Sequence, residues 1–420
     1  MTAEDMISLE EARELVTSKM KPMPVETVPV LDAVGRVCAR EVRSDIDVSP
    51  FAHSAMDGFA LRASELEGAS KDAPKVLKVV GAIGAGDVFG GSIGAGECVR
   101  IMTGACLPDD ADAVVKYESV DYKGGDGGTG SEVAFDAPAK VGDNVRAAGE
   151  EAKAGEVVVR PGEVVSCAGV GYLASCGALQ IDTYARPRVA VMATGSELVP
   201  PSEVPGPGHI RESNAYAIAA CIRAAGAEAA MLPIVKDDYD ELARAVKSAA
   251  SQFDFVITTG GAANGDFDFI KKVVASEGEL LMTLVNMRPG KAQTFGFVDG
   301  TPVFGLPGNP AAAYCGFEMI IRPALRKMQG YTHLEHPCVT ARLTQDVRKR
   351  DPRRIFLRST LTKGADGGYD VTPASNQSSG LFGVIQRSNC MAVMPEGLES
   401  KKAGDELRCV LLDIPEEIEL

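Results

Sequence analysis

The chain has 420 residues, too many for one ordinary hydrophobic core, so two to four domains are expected. Apolar residues make up 45% and charged residues 24%, as in soluble globular proteins, and the absence of Trp argues against base-stacking recognition of nucleic acid. A formal charge of −15 works against any polyanionic partner, though not against a small anion held by a few local cations.

The first predicted element is a helix. Ser8-Leu9-Glu10-Glu11 is a capping-box signature, and Leu9, Ala12, Leu15, Val16 and Met20 recur at helical spacing up to Lys21-Pro22. Next comes ETVPVLDAVGRVCAREV, of mixed character, and then a loop, DVSPFAHSAMDGFALR. From 46 to 141 short β-rich runs (VLKVVGAI, CVRIMTGA, AVVKYESV, EVAFDAP) alternate with Gly-rich turns and predict a compact β domain. GAIGAG at 81–86 reads as turns, because no helical pattern follows it to form a phosphate loop. Within 142–183, VVSCAGVGYLASCGA has helical spacing and is expected to pack on the first helix, which would make the β domain an insertion. Strand and helix patterns alternate over 184–330, predicting a doubly wound α/β sheet. The remaining residues, 331–420, return to short strands and predict a small β-barrel or sandwich.

The expected division is therefore 1–45 plus 142–183, 46–141, 184–330 and 331–420, in a multidomain α/β and β protein. Ten cysteines occur without a C-x-x-C pair, and only four histidines, so a structural zinc site is not expected and a reducing cytosol suits the thiols. The N-terminus has no cationic, apolar leader pattern and no run approaches ~18 apolar residues, so the expected location is the cytoplasm, with no membrane.

In open α/β sheets ligands bind beyond the C-terminal ends of strands. Three turns fall there: Thr194-Gly195-Ser196-Glu197, the stretch from Gly260 and Gly261 to Asp266, and Leu306-Pro307-Gly308-Asn309-Pro310. Each alone reads more readily as a plain strand-to-helix turn, and together they favour a common pocket whose backbone N–H groups face an oxyanion. Asp266 and Asp268 suit a hard divalent cation, or else an N-cap with an acidic first turn. Arg288-Pro289-Gly290-Lys291 offers two cations on a rigid turn, or a solvated hairpin end. Asp57 beside Gly58 reads as a carboxylate site or an Asx turn. Thr103 in RIMTG and the mixed-charge turn Arg146–Glu151 name no reaction by themselves.

Taken in order, SAMDGFA, RIMTGA, NVRAAGEE, TGSEL, IRESNAY, TGGAANGDFD, RPGK, LPGNP and NQSSGLF resemble the MoeA-type molybdopterin molybdenumtransferases, relatives of the gephyrin E domain. The resemblance runs from about residue 8 to 410. It implies a split helical segment, an inserted β domain, a molybdopterin-binding α/β domain and a C-terminal β-barrel. It also implies an elongated homodimer, with active sites formed by the α/β domain of one subunit and the inserted domain of the other. The implied reaction joins molybdate to adenylylated molybdopterin and releases AMP, with a divalent cation, Mg, held by Asp266 and Asp268. Asp57, Thr103, Glu151 and Asp268 would be catalytic. Thr194, Gly195, Glu197, Gly260, Gly261 and Asp266 would contact substrate. Arg288, Lys291, Ser378 and Arg353 would hold molybdate or phosphate, and Pro307, Gly308 and Asn309 would line the pterin side. A molybdopterin adenylyltransferase and molybdoenzyme chaperones are the implied protein partners.

The chain departs from that pattern in places. Phe51-Ala52-His53-Ser54 stands where relatives read FDNS, and Ala263 and Ala312 stand where relatives often carry Ser. Each lost hydroxyl removes a hydrogen bond of about 0.5–1.5 kcal/mol. Two alternatives stay open: a paralogue preferring tungstate, or a non-catalytic molybdopterin-binding scaffold. A nicotinamide dehydrogenase is disfavoured, since no G-x-G-x-x-G opens a helix.

Overall fold

Ser8 starts the first helix as its sequence predicts. Its hydroxyl accepts from the Glu11 N–H at 3.2 Å, while its own N–H donates to the Glu11 carboxylate at 2.7 Å. The helix Leu9–Lys19 ends where Met20 turns to extended backbone. The computed structural model describes residues 5–260 and 269–412. Two units emerge, one comprising the residues up to Glu26, Gly35–Val37 and everything from Thr183 onward, the other Thr27–Val34 with Cys38–Asp182.

In the first unit a seven-stranded sheet has the order Met6–Ile7, Gly278–Val285, Ala292–Val298, Thr301–Leu306, Phe255–Thr259, Arg188–Ala193, Glu228–Met231. The last four run parallel to one another, whereas Ala292–Val298 is antiparallel on both sides. Alternate residues feed opposite faces. Val189, Val191, Phe255 and Ile257 join helices Asn214–Ala224, Pro310–Gly316 and Arg322–Met328, while Ala190, Met192 and Val256 join Tyr239–Ala250 and Phe269–Glu277. Cover on both faces makes the sheet doubly wound, as expected.

The first helix buries Leu9, Ala12 and Val16 in this same core, between the sheet and the 310–328 helices. That corrects the expected packing against the 164–178 run. The helix formed there, Cys167–Ser175, sends Leu173 into a separate cluster with Val28, Val30, Val159 and Ile181. Its run of small residues leaves Leu173 as its one fully buried side chain, too little apolar surface to hold a second helix stripe.

After the sheet the chain forms a barrel rather than a sandwich. Arg354–Lys363, Tyr369–Pro373, Cys338–Leu343, Glu406–Leu411 and Cys390–Met394 pair in that order, and Arg354–Lys363 pairs again with Cys390–Met394 to close the ring. The two-residue strand Met287–Arg288 pairs in parallel with Arg354 and Ile355. This pairing stitches the RPGK turn of the α/β region to the barrel.

In the second unit six strands form a mixed sheet, in the order Ala113–Lys116, Gly58–Leu61, Glu97–Ile101, Lys75–Ile83, Glu132–Phe135, Val120–Gly124. Phe59 and Leu61 pack on one face and Ala60 on the other. GAIGAG is the end of Lys75–Ile83 and the turn after it. Among the described residues no helix is long and apolar enough to cross a membrane.

Candidate functional site

Three parallel strands end side by side, and their turns interlock through the backbone. Thr194 N–H donates to the Thr259 carbonyl at 2.8 Å, and Gly260 N–H donates to the Leu306 carbonyl at 3.1 Å. Gly260 has φ +93°, and a Cβ on it would stand 2.1 Å from the Thr194 carbonyl oxygen. Only glycine fits there. Gly308 lies against Gly260, its Cβ direction 3.6 Å from the Gly260 Cα, and the Asn214 amide donates to the Gly308 carbonyl at 2.8 Å. Thr194, Gly195, Gly260, Pro307 and Gly308 thus form one continuous floor, with Glu197 exposed beside it. Ser196 is tied to Asp237 by reciprocal hydrogen bonds of 3.0 and 3.2 Å.

Beyond Gly308, the Asn309 carbonyl accepts from Ala312 and Ala313, starting the helix Pro310–Gly316 with Pro at its first position. The Ala311 N–H donates to the Ser379 carbonyl at 2.8 Å, which joins this helix start to the barrel. Between them lies a cavity of about 690 Å³, lined by Arg288, Pro289, Gly290, Asn309 and Ala312 on the α/β side. The barrel side contributes Arg348, Arg350, Arg353, Arg358, Gln377 and Ser378.

Charge in this cavity is unbalanced. Asp351 is gripped by Arg353, with Nε at 2.9 Å and Nη2 at 2.5 Å, and by Arg288 Nη1 at 3.2 Å. The Arg353 hydrogen bonds hold the Asp351 carboxyl well below the usual carboxylate range, against the opposing effect of burial. Arg358 differs: it is 2% exposed, and among the described residues no carboxylate pairs with it. Its Nη2 donates to the Ser378 carbonyl at 3.2 Å, and its Nε is buried without a partner. Burial pushes the Arg358 pKa down, because the charged form is poorly solvated. A buried guanidinium with free donors is costly until an anion faces it, and its planar fork matches a tetrahedral oxyanion.

The structure brings Arg288, Asn309, Arg353 and Ser378 to one cavity, beside the strand-end floor. Lys291 is half-buried after the turn and does not line that cavity. Gly261, Asp266 and Asp268, like Ala263, lie outside the described residues. Among the described residues no three His, Cys, Asp or Glu side chains group as metal ligands. Sequence reasoning missed Arg348, Arg350, Arg358 and Gln377. The basic run VRKRDPRR was the signal for the first two. Of the departures, Ala312 faces the cavity, and Ala52 contributes a carbonyl that accepts from Leu107.

In the second unit Asp57 Oδ1 accepts both the N–H and the hydroxyl of Thr103, each at 2.7 Å. These two bonds hold the exposed Asp57 carboxyl below its ordinary pKa. Beside it Arg100 donates to the Tyr117 hydroxyl at 2.8 Å, and the Tyr117 N–H donates to the Asp57 carbonyl at 3.0 Å. Glu151 is exposed on a separate turn, where its N–H donates to the Val48 carbonyl.

A doubly wound sheet whose strand-end turns interlock, flanked by an arginine-lined cavity against a closed barrel, defines a multidomain α/β protein with a strongly cationic pocket. Residues 7–177 match the profile of the MoeA N-terminal region (domain I and II). Residues 190–327 match the one described as "Probable molybdopterin binding domain", and 340–412 that of the MoeA C-terminal region (domain IV). The chain is 35% identical over 409 residues to the molybdopterin molybdenumtransferase of Staphylococcus aureus (strain COL), covering 97% of this chain and 96% of that one. It is 34% identical over 412 residues to that of Staphylococcus epidermidis (strain ATCC 12228 / FDA PCI 1200), with the same coverage. The crystal structure of the molybdopterin biosynthesis moeA protein from Pyrococcus horikoshii OT3 matches with a TM-score of 0.82 at 26% identity, over 97% of this chain and 100% of that one. The chain belongs to the MoeA family of molybdopterin molybdenumtransferases.

Proposed function

We infer that the chain is a molybdopterin molybdenumtransferase, an enzyme of molybdenum cofactor biosynthesis that joins molybdate to adenylylated molybdopterin and releases AMP. The observation that carries this reading is the buried, unpaired Arg358 in a cavity with four further arginines, opening beside the strand-end turns. An oxyanion entering there supplies the missing counter-charge. Arg288 and Arg353, oriented by Asp351, face it from two sides. The strand-end floor, its turns already tied to one another by backbone hydrogen bonds, then seats the phosphate-bearing substrate on a surface formed before it arrives, so little reorganisation is needed.

Asp57, held ionised by Thr103, acts as the carboxylate of the reaction, with Glu151 as a second acid. A magnesium ion assigned to Asp266 and Asp268, whose hard oxygen donors suit it, would supply charge stabilisation at the phosphoanhydride. We also assign the enzyme to the cytoplasm as a homodimer, with molybdopterin adenylyltransferase and molybdoenzyme chaperones as its protein partners.

The test incubates the protein with adenylylated molybdopterin, magnesium and molybdate, and follows AMP. Molybdate-dependent release is expected. Tight binding of the pterin substrate without any molybdate-dependent AMP would replace the enzyme with a scaffold. Tungstate run in parallel decides oxyanion preference, and molybdate is expected to give the faster rate.

A further inference from the structure

Gln293, in the strand Ala292–Val298, is wholly buried. Its Nε2 donates to the Gly290 carbonyl at 3.0 Å, and since a carbonyl can only accept, this bond fixes which amide atom faces the turn. The other amide atom, Oε1, is buried without a partner. Two glycines distant in sequence make room for this one amide. A Cβ on Gly290, where φ is +97°, would stand 2.7 Å from Nε2, and a Cβ on Gly316 would stand 2.6 Å from both amide atoms.

The amide leaves one buried acceptor, Oε1, unpaired while satisfying another, the Gly290 carbonyl, so Met or Leu in the same slot would exchange one unpaired acceptor for the other. Stability is therefore a poor reason for an amide here. What the amide does, and hydrocarbon cannot, is hold the Gly290 carbonyl. Gly290 ends the Arg288-Pro289-Gly290 wall of the arginine cavity. Its backbone also lies over the first turn of the Pro310–Gly316 helix, with the Ala312 carbonyl 3.2 Å from the Gly290 Cβ direction.

We propose that Gln293 is a positioning residue for the oxyanion cavity, fixing the Arg288–Gly290 turn so that Arg288 is presented to the bound anion. It touches no ligand and acts through Gly290. The inference rests on the oxyanion reading of the cavity given above.

The test uses Gln293→Met and Gln293→Leu in the full chain, with calorimetric titration of molybdate, thermal unfolding and steady-state AMP release. In both variants Tm is expected to stay near the parent value, because the unpaired Oε1 is removed while the Gly290 carbonyl loses its donor, and the molybdate Kd rises about three- to tenfold, the size of one lost orienting hydrogen bond. The KM for molybdate should rise by the same factor, with kcat and the KM for adenylylated molybdopterin within about twofold of the parent. Unchanged molybdate affinity in both variants would overturn the role of Gln293 and leave the cavity reading intact. Affinity and Tm falling together would also overturn it, since a merely structural part behaves that way. Parent protein that binds neither molybdate nor tungstate would sink the oxyanion reading itself, and this inference with it.

Discussion

The arginine cavity and the Asp57–Thr103 pair manage charge in opposite ways. In the cavity one cation, Arg358, is drawn out of water, and among the described residues no carboxylate pairs with it. At Asp57 the carboxylate stays in water, and two short hydrogen bonds from one residue keep it ionised. The first arrangement, proposed as the binding site, is suited to an anion by being unsatisfied. The second, proposed as the reacting carboxylate, is fixed and accessible. Binding and chemistry are thus assigned to different stretches of the chain, and they should fail separately when altered.

The largest expected effect breaks the first half of that comparison. Arg358→Met should weaken molybdate binding at least about 100-fold, the loss of a desolvated charge-assisted contact, yet leave Tm unchanged or higher because an unpaired buried charge is gone. Titration calorimetry and thermal unfolding read both signs, and a fall in Tm would show that Arg358 is a structural residue. Asp57→Asn should do the converse. Turnover should drop about 100-fold while the molybdate Kd stays within about twofold, and equal losses in both would merge the two sites.

A smaller effect is expected from Asp351→Asn, which frees Arg288 and Arg353 from their shared partner. Molybdate affinity should fall about three- to tenfold as the two guanidiniums lose their orientation. Its pH signature also has a definite sign. The Asp351 pKa is depressed in the folded state, so its stabilisation is fully present above the unfolded value of about 3.9 and is lost as pH falls through the folded one. Acid unfolding of the parent should therefore be steeper below about pH 4 than that of the variant. The smallest effect is on salt. Because Arg358 lies out of solvent, raising ionic strength from about 0.05 to 0.2 M should weaken molybdate binding less than about threefold. A steep dependence would assign binding to the exposed Arg348 and Arg350 instead.

Much of this frame is legible in the sequence, for physical reasons that differ by region. The capping box at Ser8, the strand-end turns and the RPGK turn are local, since glycine, proline and caps act within a few residues of themselves. The strands Gly278–Val285 and Ala292–Val298 are not among the predicted elements, because GELLMTLV is an apolar run without a period of two. Arg358 is hidden for a non-local reason. In Arg354–Lys363 the four residues Phe356 to Ser359 are all buried, so the barrel's closure, rather than alternation along the strand, decides where that arginine sits. Gln293 escapes for a similar reason: its slot is made by Gly290 and Gly316, and nothing in its neighbours announces either.

The short pairing of Met287–Arg288 with Arg354 and Ile355 carries a consequence for assembly. Arg288 belongs to a turn that follows a strand of the α/β sheet, whereas Arg353 and Arg358 belong to a ring that closes through its own strands. Neither part alone contains an oxyanion cavity. The proposed molybdate site thus exists only in molecules in which sheet and barrel have both formed and joined. During refolding, molybdate binding should be the last property to return, after the backbone signals of either part, and would serve as a quality check on newly made chains.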